Sequence, residues 1–264
     1  MSTKVSFTSV VGPELAGLID EPVGPVRGWG VFSHGFTLGK DFPASARICK
    51  QLASEGIGML RFDNLGLGQS GGDWGDGSFT VKVEDTVRAV EFMASRGTPA
   101  TLLVGHSFGG DAVIAAAGRC PGITAVATVG APSEPVHVEK EYEAIVGKIL
   151  AEGSSPWLVG GRALTLKRQF VEDVRNSNLT GCVHDLHRPL LIMHSPTDDT
   201  VGIDNAGELF LAARHPKSFV SLEGSDHLLT AHGQAQRAAR IISAWAEPYL
   251  TDVDGARLVD PNGA

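Results

Sequence analysis

Residues 101–118 read TLLVGHSFGGDAVIAAAG, and this segment gives the strongest indication of the fold. The apolar run at 101–104 is typical of a buried strand, and the small residues after position 107 are typical of a closely packed helix. The pentapeptide GHSFG at 105–109 must turn the chain sharply between them. Glycine is needed two residues either side of the serine, because a side chain there would collide with neighbouring backbone. The stretch therefore predicts a strained strand-to-helix turn that exposes Ser107.

The alternation of apolar runs and helical patterns continues on both sides of this turn, which is typical of βαβ units. It predicts an α/β fold with a mostly parallel eight-stranded sheet flanked by helices. Strands are expected at 5–9, 15–20, 28–32, 58–62, 101–104, 123–129, 190–193 and 218–222. Helices are expected at 43–54, 81–96, 107–118, 204–213 and 234–245, with Asp41 as an N-cap for the first of them.

The regular alternation stops between residues 133 and 187, a segment too long for an ordinary loop between two core strands. Helical patterns at 139–151 and 169–176 flank a short hairpin predicted around Gly160 and Gly161. We interpret the segment as a small cap inserted into one domain that covers residues 1–250. The polar tail at 251–264 is expected to be disordered.

Composition restricts the partners and the compartment. The formal net charge is −8 and no basic cluster is present, so the sequence does not predict a nucleic-acid partner. The three cysteines include no CxxC pair, and the N-terminus MSTKVS lacks the apolar region of a signal peptide. No apolar run reaches the roughly 20 residues that span a bilayer. We expect a cytoplasmic protein without membrane contact; the oligomeric state is not indicated.

The GHSFG motif, with a strand before it and a small-residue helix after it, resembles the nucleophile turn of α/β hydrolases. The resemblance implies that Ser107 is a nucleophile. It also implies two backbone N–H donors for a developing oxyanion. One is expected from Phe108, directly after the serine, and the other from Phe36, in the loop after an early strand. His34 in that loop is expected to shape it through hydrogen bonds.

In this fold a serine nucleophile is followed in the chain by an acid and then by a histidine base. His227 lies after the last predicted strand and is the expected base, whereas His215 and His232 are expected at the surface. The acid should follow the preceding strand, where Asp198 and Asp199 both qualify by position. It would hold the histidine tautomer and stabilise the imidazolium.

Other patterns predict no cofactor or metal site. The pair His184 and His187 has metal-like spacing but no third ligand, and is interpreted as a polar part of the cap. The segment DNLGLGQS at 63–70 lacks a P-loop lysine and is interpreted as a structural turn. Phe36, Phe108 and Trp157 are candidates for an acyl pocket, although ordinary packing explains each of them equally well.

Further segments resemble one branch of the superfamily. GIGMLRFD at 56–63, HSP at 194–196, VGIDNA at 201–206 and HPKSFV at 215–220 resemble the hydrolase half of bacterial proteins that fuse a hydrolase to an osmotically inducible, peroxidase-like domain. The likeness covers residues 4–250. The D-x-x-V pattern of the family favours Asp198 over Asp199 as the acid.

The segment SHGFT at 33–37 and the short cap are also similar to bacterial feruloyl and cinnamoyl esterases. We therefore expect a serine hydrolase that cleaves small-molecule carboxylic esters through an acyl-enzyme. Thioesterase, amidase and perhydrolase activities use the same groups and remain open. The alternative from another class is a non-catalytic accessory module for a peroxidase-like partner. Dehalogenase and epoxide hydrolase activities are disfavoured, because those relatives carry aspartate where this chain has Ser107.

Overall fold

The computed structural model of the protein describes residues 1–250. Its main sheet has eight strands in the order β1-β2-β4-β3-β5-β6-β9-β10. The pairings β1/β2 and β2/β4 are antiparallel and the other five are parallel. The predicted mostly parallel sheet is therefore confirmed. The strands are β1 Ser2–Thr8, β2 Glu14–Asp20, β3 Gly28–Ser33, β4 Ile57–Phe62, β5 Leu102–His106, β6 Ala125–Val129, β9 Leu190–His194 and β10 Lys217–Ser221.

Helices cover both faces of this sheet. They are α1 Pro43–Ser54, α2 Phe79–Ser95, α3 Phe108–Ala117, α4 Glu143–Glu152, α5 Arg168–Asn176, α6 Leu179–His184, α7 Asp204–Ala212 and α8 Gln234–Ala246. Side chains alternate along each central strand between two cores: Leu103 of β5 packs with α2 and α3, whereas Leu102 and Val104 pack with α1 and α8. This arrangement buries β5 at the middle of the sheet and fixes the position of the residue that follows it.

Residues 133–187 form the irregular part of the structure, as predicted, but with a different content. A 3-10 helix at Pro135–Tyr142 precedes α4, where a single helix was predicted over 139–151. The hairpin consists of β7 Ser154–Val159 and β8 Arg162–Lys167, which pair only with each other within the described residues. Helix α6 was missed, because six residues are too few to show a helical period.

The predicted N-cap of α1 was wrong. The N-cap residue is Phe42, without a side-chain hydrogen bond, and Pro43 is the first helical residue. The Asp41 carboxylate is exposed and accepts instead from Arg61 Nη1 at 2.8 Å, at the edge of a buried network in which Lys40 Nζ and Asp63 Oδ2 are 2.7 Å apart. Asp63 also accepts from the Gln69 amide at 2.9 Å, so the glycine-rich segment turns around a carboxylate of the chain itself.

Two further expectations concern the chain as a whole. The tail predicted to be disordered, 251–264, lies outside the described residues. Over residues 1–250, no helix combines the length and the apolar character that crossing a bilayer requires.

Candidate active site

Ser107 lies at the sharp turn between β5 and α3. Its backbone angles are φ 52° and ψ −130°, a strained combination for a residue with a side chain. The Ser107 N–H donates to the Val129 carbonyl of the neighbouring strand at 2.9 Å, and the serine carbonyl accepts from the Gly110 N–H at 2.7 Å. The turn is thereby fixed on both sides, and the serine side chain is held at the carboxyl edge of the sheet.

The glycines of the motif are required by close backbone approaches. A Cβ atom on Gly105 would overlap the Gly109 carbonyl group, and one on Gly109 would overlap the carbonyl oxygens of Ser33 and His34. Both obstacles are backbone atoms, which cannot move aside without distorting the sheet. The start of α3 therefore lies directly against the loop that follows β3.

We expect Gly109→Ala to lower the free energy of unfolding by about 3 kcal/mol or more, because the methyl group forces these two backbone segments apart. Gly118→Ala is the matched control, since a Cβ there meets nothing within 4 Å and the residue has helical backbone angles. That variant should be as stable as the original chain or slightly more stable. Urea unfolding followed by circular dichroism measures both; equal stability of the two variants would contradict the close approach.

A hydrogen-bonded chain joins Ser107, His227 and Asp198. The distance from Ser107 Oγ to His227 Nε2 is 3.0 Å, and that from His227 Nδ1 to Asp198 Oδ2 is 2.7 Å. Since a carboxylate only accepts, Nδ1 carries the proton and Nε2 is free to accept the serine proton. The structure thus brings together three residues that lie far apart in the sequence.

Asp198 is buried and has a full set of hydrogen bonds. Its second oxygen, Oδ1, accepts from the amides of Thr200 at 3.0 Å and Val201 at 2.8 Å. Burial alone would raise the pKa of Asp198, but the hydrogen bonds from His227 and from these amides outweigh it, and the pKa lies below the usual value. Asp199 is exposed beside it. The carboxylate therefore stays ionised next to the imidazole.

His215 and His232 are both exposed and outside this chain of hydrogen bonds. Their placement agrees with the surface positions expected for them from the sequence.

Two backbone N–H groups in the segments next to Ser107 have no acceptor among the described residues. The amides of Phe36 and Phe108 donate to no group of residues 1–250. Phe108 opens α3, and the loop with Phe36 lies against the serine, since a Cβ on Gly35 would be 3.3 Å from Ser107 Cβ. Unpaired donors beside a nucleophile are suited to bind an oxygen that gains negative charge.

His34 fixes the orientation of one of these donors. Its Nδ1–H donates to the Gly35 carbonyl at 2.8 Å, and that carbonyl shares a peptide plane with the Phe36 N–H. His34 Nε2 accepts from the Asn64 amide at 3.2 Å, so both ring nitrogens are engaged only if the imidazole is neutral. Burial and the nearby Lys82 charge keep the pKa of His34 well below its usual value.

His106 is a residue whose role the sequence reasoning missed, although it stands inside the motif. Its Nε2–H donates to the backbone carbonyl of His227 at 2.8 Å and so holds the loop that carries the imidazole. Burial and the neighbouring His227 lower the pKa of His106 to about 4, which leaves it neutral. A second hydrogen bond to the same loop is donated by Ser195 Oγ to the Ser225 carbonyl at 2.6 Å.

The serine and the histidine open into a cavity of about 310 Å³ between the sheet and the segment 133–187. Its apolar lining includes Phe36, Leu38, Phe108, Val138, Trp157, Val159 and Leu228. The Phe36 ring lies at centroid distances of 5.5–6.2 Å from five other aromatic rings, those of Trp74, Phe108, Tyr142, Trp157 and Phe170. The three candidates for an acyl pocket therefore both line the cavity and pack together.

Metal ligation finds no support in the part of the chain that the structure describes. No cluster of three or more His, Cys, Asp or Glu side chains within residues 1–250 is arranged to hold an ion. His184 Nδ1–H donates instead to Asp185 at 2.7 Å, and Nε2 accepts from Arg214 at 2.8 Å. Its exposed position agrees with the polar interpretation of the pair with His187.

Known proteins resemble this chain in sequence and in fold. The family model described as serine aminopeptidase, S33, matches residues 24–182. The crystal structure of the esterase domain of a Rhodothermus marinus protein is 38% identical, with 93% of this chain and 98% of that chain covered and a TM-score of 0.73.

Two other relatives are more distant. Est1E from Butyrivibrio proteoclasticus, solved with bound ferulic acid, is 19% identical, with 91% of this chain and 97% of that chain covered and a TM-score of 0.73, and shows a similar fold. The uncharacterized protein YfhR of Salmonella typhimurium is 25% identical over 183 residues, which are 67% of this chain. The chain spans 57% of the length of that curated relative.

Proposed function

The chain belongs to the serine aminopeptidase S33 family of α/β hydrolases, and from this premise we propose that it is a serine hydrolase that cleaves carboxylic esters. The observation that carries the proposal is the hydrogen-bonded chain Ser107–His227–Asp198 at the bottom of an apolar cavity. In this proposal Ser107 is the nucleophile, His227 the general base and Asp198 the group that orients the imidazole.

Acylation begins when an ester enters the cavity with its carbonyl carbon over Ser107 Oγ. His227 Nε2 removes the serine proton as Oγ attacks, and Asp198 stabilises the imidazolium that forms. The carbonyl oxygen becomes an oxyanion, which accepts from the amides of Phe36 and Phe108. His227 then gives its proton to the alcohol oxygen as the C–O bond breaks, and the acyl group remains on Ser107.

Deacylation repeats these steps with water. His227 removes a proton from a water molecule, which attacks the acyl carbon, and the second oxyanion uses the same two amides. When the bond to Ser107 Oγ breaks, His227 returns the proton to the serine. The products are a carboxylic acid and the original enzyme.

The cavity supports a small-molecule ester with an apolar or aromatic group as substrate. Its volume of about 310 Å³ is at the lower end of the range found for small-molecule sites, about 300–1,000 Å³. The aromatic rings around Phe36 offer faces and edges on which a flat acyl or alkyl group can stack. The similarity to a protein solved with ferulic acid agrees with this substrate class.

Hydrolysis of p-nitrophenyl esters from acetate to laurate and of methyl cinnamate tests the proposal, with matched thioesters and anilides assayed beside them. We expect turnover of esters with short or aromatic acyl groups, and labelling by a fluorophosphonate probe. Faster turnover of the thioesters or anilides would identify a thioesterase or an amidase. Absence of both turnover and labelling would contradict a serine hydrolase and favour an accessory module.

Trp157 should determine acyl preference. Its ring lines the cavity and lies 5.6 Å from Phe36, whereas the next residue on β7, Leu158, points outward and is 73% exposed. We expect Trp157→Ala to lower kcat/KM for aromatic acyl esters by about 10-fold or more and to shift the chain-length optimum upward. Leu158→Ala should leave both unchanged. Identical chain-length profiles for the two variants would place the acyl group elsewhere.

A further inference from the structure

Lys82 is a buried cation that the proposed reaction does not use. It lies in the first turn of α2, is 5% exposed, and makes no ion pair within hydrogen-bonding distance among the described residues. Burial lowers the pKa of Lys82 to about 7, although Asp85 and Asp111 act in the opposite direction. Burial of an ammonium group costs free energy, because the group loses its hydration. Lys82 makes a specific contact in return.

The contact is with the loop that carries Phe36. Lys82 Nζ donates to the His34 carbonyl at 2.8 Å, which is its one hydrogen bond within residues 1–250. The other side of this carbonyl is occupied by Gly109, at which even a Cβ atom would overlap it. The His34 carbonyl is thus held between the ammonium group of α2 and the first turn of α3.

The position of His34 in turn sets the next peptide plane. The imidazole donates to the Gly35 carbonyl at 2.8 Å, and this bond orients the Phe36 N–H in the same plane. Lys82 fixes the backbone of His34 and the imidazole fixes the peptide beyond it. Two consecutive peptide units are therefore anchored between α2 and the oxyanion position.

We propose that Lys82 is a positioning residue for the oxyanion hole, which holds the His34 carbonyl so that the Phe36 N–H stays directed at the oxygen of the reacting ester. The proposal rests on the serine hydrolase mechanism above. Lys82 is not among the residues that line the cavity of Ser107 and His227, so it acts on the reaction only through the loop that carries Phe36. Its effect should appear in the transition state, where the oxyanion forms, and not in substrate binding.

The positive charge of Lys82 also helps to hold the loop that carries Phe36. The groups that face it are Asp85 on α2, Asp111 on α3 and the His34 imidazole. The ammonium charge lowers the pKa of His34, and so favours the neutral ring that accepts from Asn64. A charged donor also forms a stronger hydrogen bond than a neutral amine. When pH rises through about 7, Lys82 loses its proton and both effects weaken.

Steady-state kinetics of Lys82→Met and Lys82→Gln test the proposal on the best p-nitrophenyl ester. We expect Lys82→Met to lower kcat by about 10- to 100-fold with KM within about twofold, because it leaves one oxyanion donor misdirected. Phenylboronic acid, which forms a tetrahedral adduct on serine, should lose affinity by a similar factor. Lys82→Gln keeps an N–H donor and should recover part of kcat.

Thr86→Val is the control for loss of a buried polar group next to Lys82, since Thr86 Oγ1 donates at 2.8 Å to the backbone carbonyl of Lys82 and its removal leaves the ammonium group in place. Its kcat should match that of the original chain. Circular dichroism checks folding of every variant. If Lys82→Met does not fold, the kinetics of Lys82→Gln and the pH profile test the positioning role of Lys82.

The pH profile separates positioning from a merely structural role. In the original chain kcat should fall by about 3- to 10-fold above about pH 7 to a lower plateau, because the neutral amine still donates. Lys82→Gln should lack this step. An unchanged kcat in folded Lys82→Met, or the same step in Lys82→Gln, would overturn the proposal. An original chain without ester turnover or fluorophosphonate labelling would instead overturn the serine hydrolase mechanism.

Discussion

Replacing Ser107 by alanine is expected to lower kcat for ester hydrolysis by about 10⁴- to 10⁶-fold. The methyl group leaves the turn and the cavity intact but removes the oxygen atom that is proposed to bond to the acyl carbon. KM should change little, because the cavity wall and the two amide donors remain. Any residual rate over the uncatalysed reaction would come from oxyanion binding alone. Initial rates with p-nitrophenyl acetate at high enzyme concentration measure the effect.

Ser45→Ala is the control for this variant. Ser45 is buried, in α1, and its hydroxyl has no hydrogen-bond partner within residues 1–250. Removal of that hydroxyl should leave kcat and KM unchanged. Equal rates for Ser107→Ala and the original chain would show that another group performs the attack.

Asp198→Asn is expected to have the second-largest effect, a decrease in kcat of about 10⁴-fold. The asparagine oxygen can keep the hydrogen bonds from the Thr200 and Val201 amides, so its NH₂ group must face His227 Nδ1. Two donors cannot bond to each other, and the imidazole takes the tautomer with its proton on Nε2. That tautomer cannot accept the Ser107 proton, so the loss falls on chemistry and not on binding.

Asp199→Asn provides a matched control at the adjacent position. The substitution is the same, but Asp199 is exposed and lies outside the hydrogen-bonded chain. We expect kcat within about twofold of the original value. A larger decrease in Asp199→Asn than in Asp198→Asn would reverse the assignment of the acid.

The site was predictable to the extent that its chemistry requires particular residues in the sequence. The glycines around Ser107 are required because a Cβ atom on Gly105 or Gly109 would lie 2.1–2.6 Å from backbone atoms, and such a requirement appears as a motif. The chain order of nucleophile, acid and base placed His227 in the loop after the last strand. Chain position alone did not distinguish Asp198 from Asp199, because both residues follow the same predicted strand and belong to the same loop.

Other features of the structure cannot be predicted from local sequence patterns. Lys82 stands in an amphipathic helix, where a lysine is normally solvated, and only the tertiary packing of α2 against the loop after β3 buries it. Asp41 has the position and the chemistry of an N-cap, but the ion pairs with Lys40 and Arg61 compete for its carboxylate. Local patterns do not reveal these contacts, because Arg61, which binds Asp41, and the His34 carbonyl, which binds Lys82, come from other segments of the chain.

Peptide mass spectrometry of the acylated protein shows whether Ser107 carries the acyl group during turnover. The protein is mixed with excess p-nitrophenyl cinnamate, quenched in acid within the first turnover and digested with trypsin. The tryptic peptide of residues 97–119 contains a single serine, Ser107. We expect this peptide to gain the mass of one cinnamoyl group at Ser107, together with a burst of one equivalent of p-nitrophenol. Ester turnover without acylation of this peptide, or with the acyl group on another residue, would contradict the assignment of Ser107 as the nucleophile.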